Sequence, residues 1–340
     1  MHPRSRQFGP STFAWWVLAY NLLVIAWGAY VRASGSGAGC GRHWPLCNGV
    51  VVPSAPSTAT IIEATHRATS GLALLLVLGL TIWTLRAKPR FSKPARRAAS
   101  LSTVFVIGEA LIGAGLVLFE LVAHDASMKR GLSMILHLGN TFLLLGALVL
   151  TAWLTRDRDA SADEAPAAKP GAIVRLATLG SLVAVLVLGA SGAVAALGDT
   201  LFPARSLKEG LAQDLSPLAH LFLRLRVLHP FLALGTTALV FATASLARVA
   251  RPTPRVKLLS RAVTMVFATQ FAAGILNLFL LAPVPMQIVH LLLADASWLT
   301  LVLLAWETLY APAQAPIMSR KGPAPISDVP PSTSSVEPVT

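Results

Sequence analysis

Charge is the scarcest commodity in this chain. Only 13% of its 340 residues are Asp, Glu, Lys or Arg, about half the share of a soluble globular protein. With 54% hydrophobic residues and a mean hydropathy of +0.65, that scarcity excludes an ordinary soluble domain. Acidic residues are rarer still, 15 against 28 Lys and Arg, for a net charge of +13. The excess sits in loops between apolar runs, so it is a topology signal, and nothing in it suggests nucleic-acid binding. Cysteine is nearly absent: Cys40 and Cys47 are the only two.

What fills the chain is long apolar runs. Eight reach the roughly 20 residues that cross a bilayer, at about 13–31, 66–85, 101–121, 132–154, 173–198, 227–247, 262–282 and 288–309. The fold class expected is an all-α membrane protein of eight transmembrane helices. The first run is too long for a cleaved signal and is expected to stay. Lys and Arg crowd the segments after spans 2, 4 and 6, and outnumber those in the alternate loops. By the positive-inside rule both termini are cytoplasmic, in a multi-pass protein of the cell inner membrane. Cys40 and Cys47 then fall in the first external loop, where disulfides persist. They pair there or stay as two free thiols.

Spans 1–4 resemble spans 5–8. Gly28-Ala29 matches Gly189-Ala190, Trp44-Pro45 is echoed by Phe202-Pro203, and Glu109-x3-Gly113 by Gln270-x3-Gly274. His66 matches His229, and His137 matches His290. A parallel repeat of this kind predicts two pseudo-symmetric four-helix bundles. Residues 1–155 form the first, 156–172 a cytoplasmic linker and 173–311 the second. The Pro/Ser-rich tail 312–340 is expected to be disordered.

The four repeat-related histidines each open an even-numbered span, so all lie near one membrane face. Ionisable residues at membrane depth are costly and usually functional. Two per bundle suggest two bis-histidine metal or haem sites. Zinc needs three or four close ligands, and two histidines among small apolar faces suit a planar macrocycle better; copper between the halves stays open. Glu63 lies three residues before His66, on the same helix face, where a carboxylate can move protons. Arg67 can meet a propionate. His229 has Arg226 three residues before it and Pro230 after it, so the second pocket lacks the acid. The asymmetry points to one reactive site and one site that holds a cofactor or passes electrons. Glu109 either faces the pocket or bonds a neighbouring helix. Asp295 reads as a packing or proton-relay residue, and His43, His124 and His220 as loop histidines.

The segment from Gly28 to Gly49 (GAYVRASGSGAGCGRHWPLCNG), the Glu63-x2-His66-Arg67 motif, Gln270-Phe-Ala-Ala-Gly274 and Gln287-Ile-Val-His290 together resemble the haem A synthase family. The resemblance covers about residues 13–310. It implies oxidation of the C8 methyl of haem O to a formyl group through a hydrated aldehyde, giving haem A for cytochrome oxidase. Carried over, His66, His137 and Arg67 face the substrate haem, and His66 and Glu63 are catalytic, with Glu63 the carboxylate. His229 and His290 ligate a haem b cofactor, and Cys40 and Cys47 pair. Partners implied are the lipid bilayer, a haem O synthase, the cytochrome oxidase assembly route and an electron-transfer partner of unknown identity. Three positions depart from the family pattern: His43, Glu109 where Gln is usual, and Pro230 after His229. The competing readings are a di-haem b electron carrier without turnover, which needs neither Glu63 nor the Cys loop, and a haem-handling transporter.

Overall fold

The computed structural model describes residues 9–87, 91–156 and 170–310. The expected tail, and all but the edges of the expected linker, lie outside them. Among the described residues the secondary structure is helical, with one isolated bridge between Cys47 and Val50. Ten α-helices follow in order: α1 Pro10–Ala33, α2 Thr58–Arg86, α3 Lys93–Leu118, α4 Met128–Leu154, α5 Ala172–Leu201, α6 Leu207–Leu215, α7 Leu221–Arg226, α8 Leu228–Ala250, α9 Pro254–Phe279 and α10 Val284–Leu309. Eight helical stretches are long and apolar enough to cross a membrane, α7 and α8 together making the sixth. This is a multi-pass membrane protein.

Local sequence sets the helix starts. Ser57, Ser92, Ser127 and Thr253 cap α2, α3, α4 and α9, each side chain accepting a bond from the backbone N–H three residues on. Such caps satisfy amides that have no partner inside the helix. Proline occupies the first turn of α1, α3, α9 and α10, where its missing N–H costs nothing. α1 ends just before Gly35, whose φ of +69° is readily taken by a residue without a Cβ.

The sixth span is interrupted at Val227, between α7 and α8. Pro230 lacks the N–H that would bond the Arg226 carbonyl, so the ladder breaks one turn before it. The sequence reading began this span at 227 and did not include α7 or α6. The break lies at the loop end of the span, away from the membrane midplane.

In the first half α1 packs on α2, α2 on α3, α3 on α4 and α4 on α1; in the second α5 packs on α8, α8 on α9 and α9 on α10, with α10 also against α5. α4 and α10 are the central helices. Half of the apolar window of α4 and 44% of that of α10 are buried, against 11–28% in the others. They meet at Phe142 and Trp298, whose rings stack at 5.4 Å. The Trp298 indole N–H donates to the Phe142 carbonyl at 2.5 Å and lies against Gly146, while Gly189 sits against the Phe142 ring. The outer faces are studded with exposed Leu, Ile and Val, among them Leu75, Leu111, Leu176 and Leu234, as suits lipid contact.

Few polar side chains join the two halves. Arg32 of α1 donates to the Ala196 carbonyl (2.8 Å) and Thr200 Oγ1 (2.5 Å) on α5, and to Gln287 Oε1 (2.8 Å) on α10. Trp153 Nε1 of α4 donates to Glu307 Oε1 of α10 at 2.7 Å.

Candidate functional site: paired histidines beneath a disulfide loop

The first inter-helix loop closes through a Cys40–Cys47 disulfide. It is held down on α2 by a small polar cluster. The Cys40 N–H donates to Glu63 Oε2 at 2.8 Å, and Thr60 Oγ1 donates to the Gly39 carbonyl at 2.8 Å. Arg67 grips Glu63 Oε1 through Nε (3.1 Å) and Nη2 (2.5 Å). Its remaining donors go to loop carbonyls: His43 at 2.7 Å, Leu46 at 2.5 Å and Gly41 at 3.4 Å. Glu63 is 3% exposed, so its charge rests on these donors rather than on water. Here Arg67 is committed to the loop and to Glu63.

His66 lies one turn from this clamp on α2, and all four repeat-related histidines are half-buried. Three of their rings rest on a glycine of the neighbouring helix. A Cβ on Gly28 would stand 2.9 Å from His66 Cε1, one on Gly192 would stand 3.2 Å from His229 Cε1, and one on Gly274 would stand 3.0 Å from His290 Cε1. Glycine is required at these places because any side chain would displace an imidazole. The contact also corrects the repeat register. Gly192-Ala193, not Gly189-Ala190, is the counterpart of Gly28-Ala29; Gly189 instead packs against Phe142 of α4.

The fourth ring is seated differently. The space over Gly113 is open, and His137 Nδ1 lies 3.1 Å from Glu109 Oε2, off the line of a hydrogen bond. Glu109 is fixed by Asn140 Nδ2 (2.6 Å) and Thr141 Oγ1 (3.0 Å). It therefore bonds a neighbouring helix and stands beside the His137 ring at once. In the second pair, His229 and His290 have ring centres 6.5 Å apart at 85°. Ser191 Oγ is 2.9 Å from His229 Nδ1, and Gln270 Nε2 is 3.3 Å from His290 Nε2.

The spacing of the second pair can be compared with that of two imidazoles sharing one metal ion. His229 and His290 would be the residues to hold such a metal: bonds of about 2.1 Å, with ~1.1 Å more from nitrogen to ring centre on each side, would require ring centres about 6.4 Å apart, and theirs stand at 6.5 Å. Buried Nδ1 atoms of His66, His137 and His290 have no hydrogen-bond partner. Among the described residues no group of three or more His, Cys, Asp or Glu is placed to hold a metal ion, which argues against a tetrahedral zinc site.

Of the remaining histidines, His43 and His124 are exposed in loops, and His220 caps α7. Asp295 is wholly enclosed and neither oxygen has a hydrogen-bond partner. Arg226, which stands three residues before His229, bridges Asp199 (2.7 Å) and Asp214 (2.5 Å). The spacing of twelve residues to Asp214 gave no signal for that pairing.

Known proteins are similar to this chain along most of its length. A Thermus thermophilus protein named protoheme IX farnesyltransferase is 48% identical over 297 residues, covering 87% of this chain and 48% of that protein. The heme A synthase of Exiguobacterium sibiricum is 33% identical over 184 residues, 54% of this chain and 58% of the relative. That of Bacillus licheniformis is 43% identical over 131 residues, 38% and 42% of the two chains. In each case the match spans about half the relative's length. The family described as cytochrome oxidase assembly protein, COX15-CtaA, matches residues 11–302, and the chain belongs to it.

Proposed function

We propose that this protein is a haem A synthase, oxidising the C8 methyl of haem O to a formyl group to supply haem A to cytochrome oxidase. Family membership and the heme A synthase relatives support the activity. The observation that carries the site is the pairing of histidines, with one pair at the separation expected of two axial imidazoles.

In this reading residues 1–155 and 173–311 are two pseudo-symmetric four-helix bundles. His66 and His137 hold the substrate haem in the first, and His229 and His290 hold haem b in the second. Bound haem b supplies a one-electron redox centre. The glycine seats fix three of the rings in orientation, and Ser191 orients His229 through Nδ1. Glu63 is the carboxylate above His66, with its charge maintained by Arg67 and the Cys40 N–H. Arg67 contributes through that grip and through the loop it holds over the pocket. Both termini are cytoplasmic, which puts the disulfide loop and all four histidines toward the outer face of the cell membrane. A haem O synthase is the natural supplier of substrate, in keeping with a relative named for farnesyl transfer to protoheme.

The engagement of both Glu63 oxygens, one by the Cys40 N–H of the loop and one by Arg67, favours one alternative, a di-haem b electron carrier in which Glu63 is structural. Haem extracted from cells making this chain with a haem O synthase separates the two. Haem A that disappears in Glu63→Gln supports the synthase. Haem O accumulating beside a protein that carries only haem b refutes it.

A further inference from the structure

We infer that Glu109 is a positioning residue for the substrate pocket: with His137 turned to offer Nε2 to iron, Glu109 accepts a hydrogen bond from the Nδ1–H of that ring and makes His137 the strongest donor of the four ligands. The inference rests on the haem reading above and adds to it a chemical difference between the pockets.

Three observations carry it. First, Glu109 Oε2 lies 3.1 Å from His137 Nδ1, a buried nitrogen with no hydrogen-bond partner. A slight turn of the ring aligns the pair, and carboxylate–imidazole contacts often tighten only when the site is filled. Second, the carboxylate is itself held. Asn140 donates to Oε1 and also to the Phe105 carbonyl, and Thr141 donates to Oε2. Asn140 packs so closely on Gly108 that a Cβ there would meet its Oδ1 at 2.7 Å. A carboxylate fixed in this way can orient a ring. Third, the repeat supplies an internal comparison. Gln270 occupies the matching place on α9, but its amide nitrogen approaches His290 at Nε2, 3.3 Å away, and His290 rests on Gly274 while Gly113 carries nothing. One pocket offers an anion to the far nitrogen of its ligand; the other offers a neutral amide to the near one.

A carboxylate behind a ligating histidine fixes its tautomer and raises its basicity. Stronger donation stabilises ferric iron and lowers the reduction potential, one of the levers a protein has on a haem. Glu109 therefore biases the first pocket toward the oxidised state relative to the second.

The test uses the full chain with His290→Ala, so that only the first pocket keeps two histidines, titrated with haemin. Glu109→Gln should weaken haemin binding by about 10–100-fold and raise the midpoint potential, whereas Glu109→Asp, which keeps a carboxylate, should retain the lower potential. The Gln side chain still accepts the Asn140 bond, and Thr141 keeps its second acceptor, the His137 carbonyl, so the helix contacts survive. Equal affinity and potential in Glu109→Gln overturns the inference, as does an equal shift in Asp and Gln, which marks a packing effect. If His137→Ala also leaves haemin binding unchanged, the haem reading of the pair falls and takes the role of Glu109 with it.

Discussion

Replacing the glycines under the imidazoles one at a time should produce a graded loss of ligation. Ordinary carbon contacts lie at about 3.5 Å or more. An alanine at Gly28 has its Cβ at 2.9 Å from His66 and must push the ring away by roughly 0.6 Å. At Gly274 and Gly192 the distances are 3.0 and 3.2 Å, for displacements of roughly 0.5 and 0.3 Å. Metal-ligand distances tolerate only about 0.2 Å. Gly28→Ala and Gly274→Ala should therefore lose their axial contact, and Gly192→Ala should weaken it. Stability should change much less. Overpacking costs about 1–3 kcal/mol, but alanine gains about 1 kcal/mol over glycine in a helix, and an imidazole can swing where a backbone cannot. Gly113→Ala, with open space around it, is the control: an unchanged spectrum and stability raised by up to about 1 kcal/mol. The assay is Soret and EPR spectroscopy of haem-loaded protein beside thermal unfolding in detergent. An unaltered spectrum in Gly28→Ala, or equal damage from Gly113→Ala, would refute the reasoning.

Two further substitutions probe the frame. Arg32→Met removes three bonds between α1 and the second half and should lower stability by about 3 kcal/mol; melting at the wild-type temperature would show that the contacts contribute nothing. Arg67→Ala leaves Glu63 buried with the Cys40 N–H alone. It should cost about 3 kcal/mol and speed reduction of the Cys40–Cys47 disulfide, measured by thiol alkylation against time; an unchanged rate would mean that Arg67 does not hold the loop.

The spans were legible because apolar runs of membrane length admit few other structures, and the serines and proline-led turns at their starts are local signals. The interruption before Pro230 was legible in principle, since proline removes a bond four residues back, yet α7 adds a short apolar turn ahead of it that hydropathy alone merges or omits. The repeat register failed for a simpler reason. The sequence carries Gly189-Ala190 and Gly192-Ala193 three residues apart, almost one helical turn, and only the position of the His229 ring distinguishes them. Glu63 and Arg67 were found by spacing, but the carbonyls that Arg67 binds could not be, because backbone acceptors leave no mark on composition. The partners of Arg32 were equally hidden, because they lie 164 to 255 residues away in sequence.

The contact between α4 and α10 bears on how this protein is assembled. Lipid tails are as apolar as the Leu and Val of the seam, so separating two inserted helix groups carries little hydrophobic penalty, and association in a bilayer depends on packing and on hydrogen bonds. At this seam those are the Trp298 indole lodged over Gly146 and bonded to the Phe142 carbonyl, and the guanidinium of Arg32. The junction works as a keyed joint. Each group of helices can enter the membrane independently, with these donors searching for acceptors, and only the correct docking satisfies them together. His137 and His290 ride on the two helices of that joint, so the same docking that satisfies these donors fixes where both rings stand.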